Sequence, residues 1–171
     1  MLLDIPGTRL EKRRPAIAGQ RHSKAPAEPL SGQVMKALFH LAYHVTDLQE
    51  ARRFYGDVLG CKEGRSTETW VDFDFFGHQL SLHLGEPFPV TRTGKVGDHM
   101  VMMPHLGAVL PLDDWFALAE RLEKAGIGFD IPPVVRFEGE PGEQRTMFFF
   151  DPSGNPIEVK GFRDFESVFA Q

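Results

Sequence analysis

An α+β fold of two tandem βαβββ modules is predicted by three observations on this 171-residue chain. The order strand, helix and three further strands is written twice. Each copy opens with His-Leu-small and reaches an Asp seven or eight residues later: "FHLAYHVTD" at 39–47 and "PHLGAVLPLDD" at 104–114. The copies also keep step, since His40 to Gly60 spans twenty positions and His105 to Gly126 twenty-one.

Each element follows from local chemistry. "ALFHLAYHV" reads as a strand, and "DLQEARRFYGDVLG" as a helix. Asp47 is its N-cap, and Glu50 completes a capping box three residues on. Ala51, Phe54, Tyr55, Val58 and Leu59 form an apolar stripe, so Phe54 and Tyr55 read as core residues, and Gly60 suits a left-handed C-cap. "CKEGRS" suits a short strand and turn. "TWVDFDFFG" and "HQLSLHL" alternate with period two about a turn at Gly77, where His78 reads as a turn residue.

Residues 85–98, "GEPFPVTRTGKVGD", read as a Pro/Gly-rich linker. The order then recurs. "HLGAVLPL" is a strand, and "DDWFALAERLEKAGIGF" a helix with an Asp cap, a Trp115, Leu118, Ala119 and Leu122 stripe, and a stop at Gly126. "FDIPPVVRF" is a broken edge strand because of its paired prolines. "RTMFFF", the turn "DPSG" and "NPIEVKGF" close the module, and "RDFESVFAQ" adds a helical turn.

Composition sets limits on function. Hydrophobic residues make up 42% and charged residues 25%, as in a soluble globular chain. A net charge of −5 argues against general nucleic-acid affinity, which needs a concentrated basic surface. No apolar run reaches the roughly 18–20 residues of a membrane span. Cys61 is the only cysteine, which excludes an intrachain disulfide and a Cys-based metal site and fits a reducing cytoplasm. Residues 1–34 carry scattered charges, Pro, Gly and Ser without apolar periodicity, so they read as a disordered extension, with Met35 a candidate natural start. Residues 35–165 are then one domain, with modules at about 37–85 and 99–162, and 166–171 form a tail.

Two copied halves place His40 and His105 symmetrically about a pseudo-twofold axis. Counting along the last strands puts His83 ("LSLHL") and Glu158 ("NPIEV") at corresponding places. Four imidazole or carboxylate groups thus converge between the halves, on the concave face of curved mixed sheets around a central metal or ligand cleft.

The chain from about residue 37 to 165 resembles the vicinal oxygen chelate superfamily of glyoxalases, extradiol dioxygenases and fosfomycin-resistance proteins. "HLAYHVTDLQEARRFYGDVLGC" and "FFFDPSGNPIEVKGF" carry the resemblance. Within that superfamily, "FFGHQLSLHL", "PHLGAVL" and "PGEQRTMFFFDPSG" are most similar to bacterial proteins described as predicted extradiol-type dioxygenases. The resemblance implies a divalent metal held by residues from first and last strands, and His40, His105 and Glu158 match the three ligand positions. Two imidazoles and a carboxylate suit Fe(II), the first expectation, as well as Mn(II) or Zn(II), and leave positions open for a substrate's adjacent oxygens. His83 falls at a fourth position, a glutamate in glyoxalases. It is a fourth ligand, an acid/base or a pocket residue, and acid/base work is preferred because imidazole titrates near neutrality.

Bland readings stand beside these. A lone strand histidine is more often hydrogen-bonded structure than a ligand, and Glu158 alone would be a solvated strand residue. His99 competes with His105, but His105 lies eight residues before Asp113, close to the seven from His40 to Asp47, whereas His99 lies fourteen before it. His44 shares the His40 face and is a pocket or a structural residue. Arg145 offers a fork of donors for an anionic substrate, against a salt bridge to Glu143 or Asp151.

The resulting expectation is a mononuclear metal-dependent, dioxygenase-like enzyme acting on a small molecule, with no nucleic-acid or membrane partner. Its alternatives are a glyoxalase-like lyase or isomerase on Zn(II) or Ni(II), and a metal-free small-molecule binding or resistance protein. A homodimer is compatible with either enzyme, since such modules often pair.

Overall fold

The computed structural model describes residues 37–96 and 99–169. The expected extension at 1–34 and the last two residues of the tail lie outside them. Strands β1 (His40–Val45), β2 (Lys62–Ser66), β3 (Trp70–Phe75) and β4 (His78–Leu84) form one sheet in the order β1-β4-β3-β2. Between β1 and β2 runs a helix that starts as α1 (Leu48–Ala51) and continues as π-helical turns over Arg52–Val58. Strands β5 (Thr91–Val96) and β6 (His99–Met103) make a hairpin. Then β7 (Leu106–Pro111), helix α2 (Leu112–Lys124), β8 (Phe129–Arg136), β9 (Gln144–Phe150) and β10 (Pro156–Phe162) repeat the pattern as a second sheet, β7-β10-β9-β8. A 3-10 turn, Phe165–Phe169, follows.

The two βαβββ units are therefore present, each with its first strand paired in parallel to its last. Such pairing requires a crossover, which the helix of each module supplies. Asp47 caps the first helix as expected, accepting from the Gln49 and Glu50 amides at 2.7 and 2.9 Å. Glu50 does not reach back to close a capping box. It lies 3.7 Å from Arg53 instead. Gly60 and Gly126 both end their helices at positive φ, +78° and +72°, where a side chain would be strained.

Two details differ from the sequence reading. The segment read as a linker carries β5, which pairs with β6 just beyond it as a hairpin. Its Gly94 lies directly under Val101 and Met103, so that an added Cβ would meet their side chains at 2.7 Å. The glycine that looked like a linker residue is thus a packing requirement. Helix α2 starts one residue after Pro111, with no side-chain cap, and Asp113 and Asp114 lie inside its first turn, where they face the positive end of the helix dipole. Strand β8 does run along a sheet edge, and its register shifts around Ile131–Val134, at the paired prolines.

One hydrophobic core joins the inward faces of both sheets with both helices. Phe54 packs on Phe149 at 6.2 Å, and Trp115 covers Gly161 while donating from Nε1 to the Val159 carbonyl at 2.9 Å. No helix among the described residues is long and apolar enough to cross a membrane.

A buried polar chain fastens the modules to each other. The Asp151 carboxylate, in the turn between β9 and β10, accepts from Tyr55 Oη at 3.0 Å, Asn155 Nδ2 at 2.8 Å and the amides of Ser153 and Asn155. Tyr55 is hydrogen-bonded in turn to the hydroxyl of Tyr43. Asn155 Nδ2 also reaches the His44 carbonyl at 3.1 Å, and Ser153 Oγ accepts from the Thr46 amide at 2.9 Å. Burial pushes the Tyr55 and Tyr43 hydroxyls far up, so both stay protonated as donors. Tyr55→Phe strips a donor from a buried carboxylate and a partner from Tyr43. It is expected to cost about 1–3 kcal/mol of stability, read as a lower urea midpoint at unchanged m-value. A midpoint equal to wild type would show that the chain contributes nothing.

Candidate functional site

Alternation along the strands divides each sheet into a core face and an open face. In the second module, Met147, Phe149, Ile157 and Val159 point into the core. Thr146, Phe148, Glu158 and Lys160 therefore occupy the open face. His105 immediately precedes β7 on that same side. The parallel register sets Glu158 opposite Gly107, two residues from His105.

His105 Nε2 lies 3.3 Å from Glu158 Oε2, and the two groups line a shallow cavity of about 250 Å³ with Gly107, Ala108, Val109 and Lys160. The imidazole is held from behind: Nδ1 is 2.7 Å from the Met102 carbonyl, and Phe148 packs edge-on at 5.2 Å. A carbonyl only accepts, so Nδ1 carries the proton and Nε2 is presented to Glu158. Glu158 is held as firmly. Thr146 Oγ1 donates to its Oε1 at 2.9 Å, and Lys160 Nζ stands 3.5 Å from Oε2.

The pair shifts both titrations. The hydrogen bond to Glu158 raises His105 above the usual histidine range; burial opposes this, and the Met102 carbonyl supports it. Burial pushes the Glu158 carboxyl up. The His105 bond, the Lys160 charge and the Thr146 bond outweigh it and leave Glu158 below the usual carboxylate range.

The sequence-predicted residues are only partly assembled. His105 and Glu158 meet. His40 opens β1 on the other sheet, exposed and opposite Gln79. Among the described residues, no three His, Cys, Asp or Glu side chains group closely enough to hold a metal. The expected three-ligand set is therefore not gathered within one chain. His99 sits on β6 and is not among the residues lining the His105 cavity.

His83 is not the counterpart of Glu158. In β1 the core-facing residues are Leu41, Tyr43 and Val45, matched in β7 by Leu106, Ala108 and Leu110. Leu41 pairs with Leu80, and Leu106 with Ile157. The structural equivalent of Glu158 is thus Ser81, and that of His83 is Lys160. Alternation alone does not separate the two, because Ser81 and His83 share one face of β4 and only the ladder to β1 fixes which of them matches Glu158. His83 is exposed, lies directly opposite His44, stacks on Trp70 at 6.2 Å, and lines a separate cavity with Ala42, Tyr43, His44, Glu86 and Phe88. His44 donates from Nδ1 to the Glu86 carbonyl at 3.0 Å.

Arg145 does not serve the site either. It falls on the Met147–Phe149 side of β9, opposite to Thr146 and Glu158, and stands 3.8 Å from Glu143. Asp72 was overlooked in the sequence. It is buried on the open face of the first sheet and accepts from Ser81 Oγ, Gln79 Nε2 and Arg65 Nη2. Its signal was present in "WVDFDF", where Asp72 alternates with core residues.

The metal-free pair stabilises the fold within a defined pH window. The Glu158 contribution is present above the usual carboxylate range and fades as pH falls through its lowered pKa. The His105 contribution is present below the usual histidine range and fades as pH rises through its raised pKa. Glu158→Gln is expected to move the His105 titration, followed by NMR of its ring protons, downward. An unmoved titration would mean that the carboxylate does not govern the imidazole.

Residues 37–159 match the family model described as the Glyoxalase/Bleomycin resistance protein/Dioxygenase superfamily. A glyoxalase/bleomycin resistance protein/dioxygenase from Alicyclobacillus acidocaldarius is 34% identical, over 78% of this chain and 97% of that one, with a TM-score of 0.63. Two more distant structures share the fold. A glyoxalase/dioxygenase from Nostoc punctiforme is 20% identical over 82% of this chain and 100% of its own, with a TM-score of 0.58. The fosfomycin resistance protein FosX from Mesorhizobium loti is 19% identical over 80% and 100%, at 0.55. With its two four-stranded sheets and this match over most of its described length, the chain belongs to the glyoxalase/bleomycin resistance protein/dioxygenase superfamily.

Proposed function

We propose that the chain is a metal-dependent enzyme of the vicinal oxygen chelate type, dioxygenase-like, acting on a small molecule through two adjacent oxygens. The observation that carries this reading is the His105–Glu158 pair, whose donor atoms converge beside an open cavity while their far sides are tied to Met102 and Thr146. An imidazole fixed through Nδ1–H with Nε2 turned outward is the state in which histidine ligates a metal. The donor chemistry fits Fe(II), with Mn(II), Zn(II) and Ni(II) as alternatives. Such a metal supplies a Lewis acid and a template for the substrate's oxygens.

The third ligand, His40, comes in this proposal from a second copy of the chain. Strands β1 and β7 are both sheet edges, with His40 and His105 at matching places one residue before Leu41 and Leu106. A twofold dimer that sets β1 of one chain beside β7 of the other joins the open faces and completes two equal sites. In it, His105 and Glu158 bind, Thr146 and Met102 orient, and Lys160 offsets negative charge. His83, exposed on the face contributed by the first module, handles the proton.

Metal analysis of anaerobically purified protein tests the ligands. His40→Ala and Glu158→Ala are each expected to lower bound metal by more than about tenfold. Mixing the two variants as refolded chains is expected to restore about a quarter of wild-type metal, because half the dimers are mixed and each carries one intact site. No recovery would refute the two-chain site, and wild type that takes up no Fe(II), Mn(II) or Zn(II) would refute the metal reading itself. Because His105 must shed a proton to ligate, metal affinity is expected to fall as pH drops through its raised pKa. Oxygen consumption with catechol-type substrates separates a dioxygenase from a lyase, which consumes none.

A further inference from the structure

On the open face of the second sheet, one cation has no counterpart among the described residues. Thr146, which holds Glu158, lies opposite Lys160 on one side and Val134 on the other. Two residues beyond Val134 on the same side of β8 stands Arg136, opposite Gln144. Its Nε and Nη2 are shut off from solvent and have no hydrogen-bond partner among the described residues. Dry, unpaired donors on a permanent charge are costly.

The geometry of the guanidinium narrows what is missing. Nε–H and the neighbouring Nη2–H point the same way along one edge of the planar group. Together they form a fork that matches two oxygens of one carboxylate or phosphate. Both orphaned nitrogens belong to this single edge. The fork therefore lacks one oxyanion rather than two unrelated acceptors.

None of the nearby carboxylates meets the fork. Phe137, at φ +55°, turns the chain away directly after Arg136, and Glu138 and Glu140 are exposed on the loop beyond it. Glu143 accepts from the Gly139 amide at 2.9 Å and faces Arg145. Asp130, earlier on β8, is held by both terminal nitrogens of Arg92.

We infer that Arg136 is an oxyanion-binding residue and that the molecule bound at His105 and Glu158 carries a carboxylate, phosphate or phosphonate group which Arg136 grips side-on. Lys160, on the same face between Arg136 and Glu158, adds positive charge along the path. The anion site stands on the Arg136 geometry alone, while its assignment to a substrate rests on the function proposed above.

Isothermal titration of the full chain with inorganic phosphate, after chelator treatment and at low salt, tests it. Wild type is expected to bind phosphate saturably without metal. Arg136→Lys keeps the charge but loses the fork and is expected to weaken binding at least tenfold, and Arg136→Gln to abolish it, with circular dichroism and melting temperature confirming that at least the Lys variant folds. Glu158→Gln is expected to lose metal yet keep phosphate. The two readings fail separately: wild type that binds phosphate but takes up no metal refutes the metal reading alone, and Glu158→Gln that keeps phosphate but not metal supports Arg136, whatever the enzyme does with oxygen. Absence of saturable phosphate binding in wild type, or affinity unchanged in Arg136→Lys, would overturn the inference.

Discussion

Everything at the candidate site depends on the parallel pairing of first and last strands within each module. An antiparallel neighbour is reached through a short turn and places residues that are close in sequence side by side. A parallel neighbour is reached only through a crossover, so it brings together groups that are remote along the chain. The β7–β10 ladder sets the start of one strand beside the carboxylate of the other and thereby creates the contact of His105 with Glu158. Helix α2, anchored by Trp115 over Gly161, is the crossover that holds this ladder in register.

The same ladder in the first module produces a different chemistry. There the equivalent of Glu158 is Ser81, whose hydroxyl is spent on Asp72, and that carboxylate is already served by Gln79 and Arg65. Its hydrogen bonds hold Asp72 below the usual carboxylate range although burial works against them. One open face thus offers a carboxylate beside an imidazole, and the other offers a satisfied polar cluster flanked by Trp70, His83 and His44. The duplicated fold is symmetric in backbone and asymmetric in the side chains its two open faces carry.

Much of this was legible in the sequence. Periodicity and the two glycine stops gave the repeated βαβββ order, because an amphipathic strand or helix must bury one face and glycine alone tolerates the left-handed cap. That His105 and Glu158 belong to one site followed from the resemblance to the superfamily rather than from periodicity. The rest escaped on physical grounds. The equivalence of His83 and Glu158 was misjudged because register is decided by hydrogen bonds across the sheet, and Ser81 and His83 share a face on which alternation alone does not tell them apart. The β5–β6 hairpin hid behind its glycines and prolines. Arg136 gave no signal in sequence, since an arginine near a strand end is ordinary until its burial and missing partner are seen.

The turn Asp151–Asn155 has a wider consequence. By composition it is a surface loop, the sort of segment that accepts insertions and is exchanged freely between relatives. Here its side chains reach across to Tyr55, His44 and Thr46 of the other module, and it acts as a clasp. Its length is consequently tied to partners far away in the chain, and that tie restricts how relatives of this protein recombine. A second module joined to this first one must offer a turn that meets the tyrosine, backbone carbonyl and amide already there. Half-swapped chimeras of this chain are therefore compatible only when the turn and those three positions match.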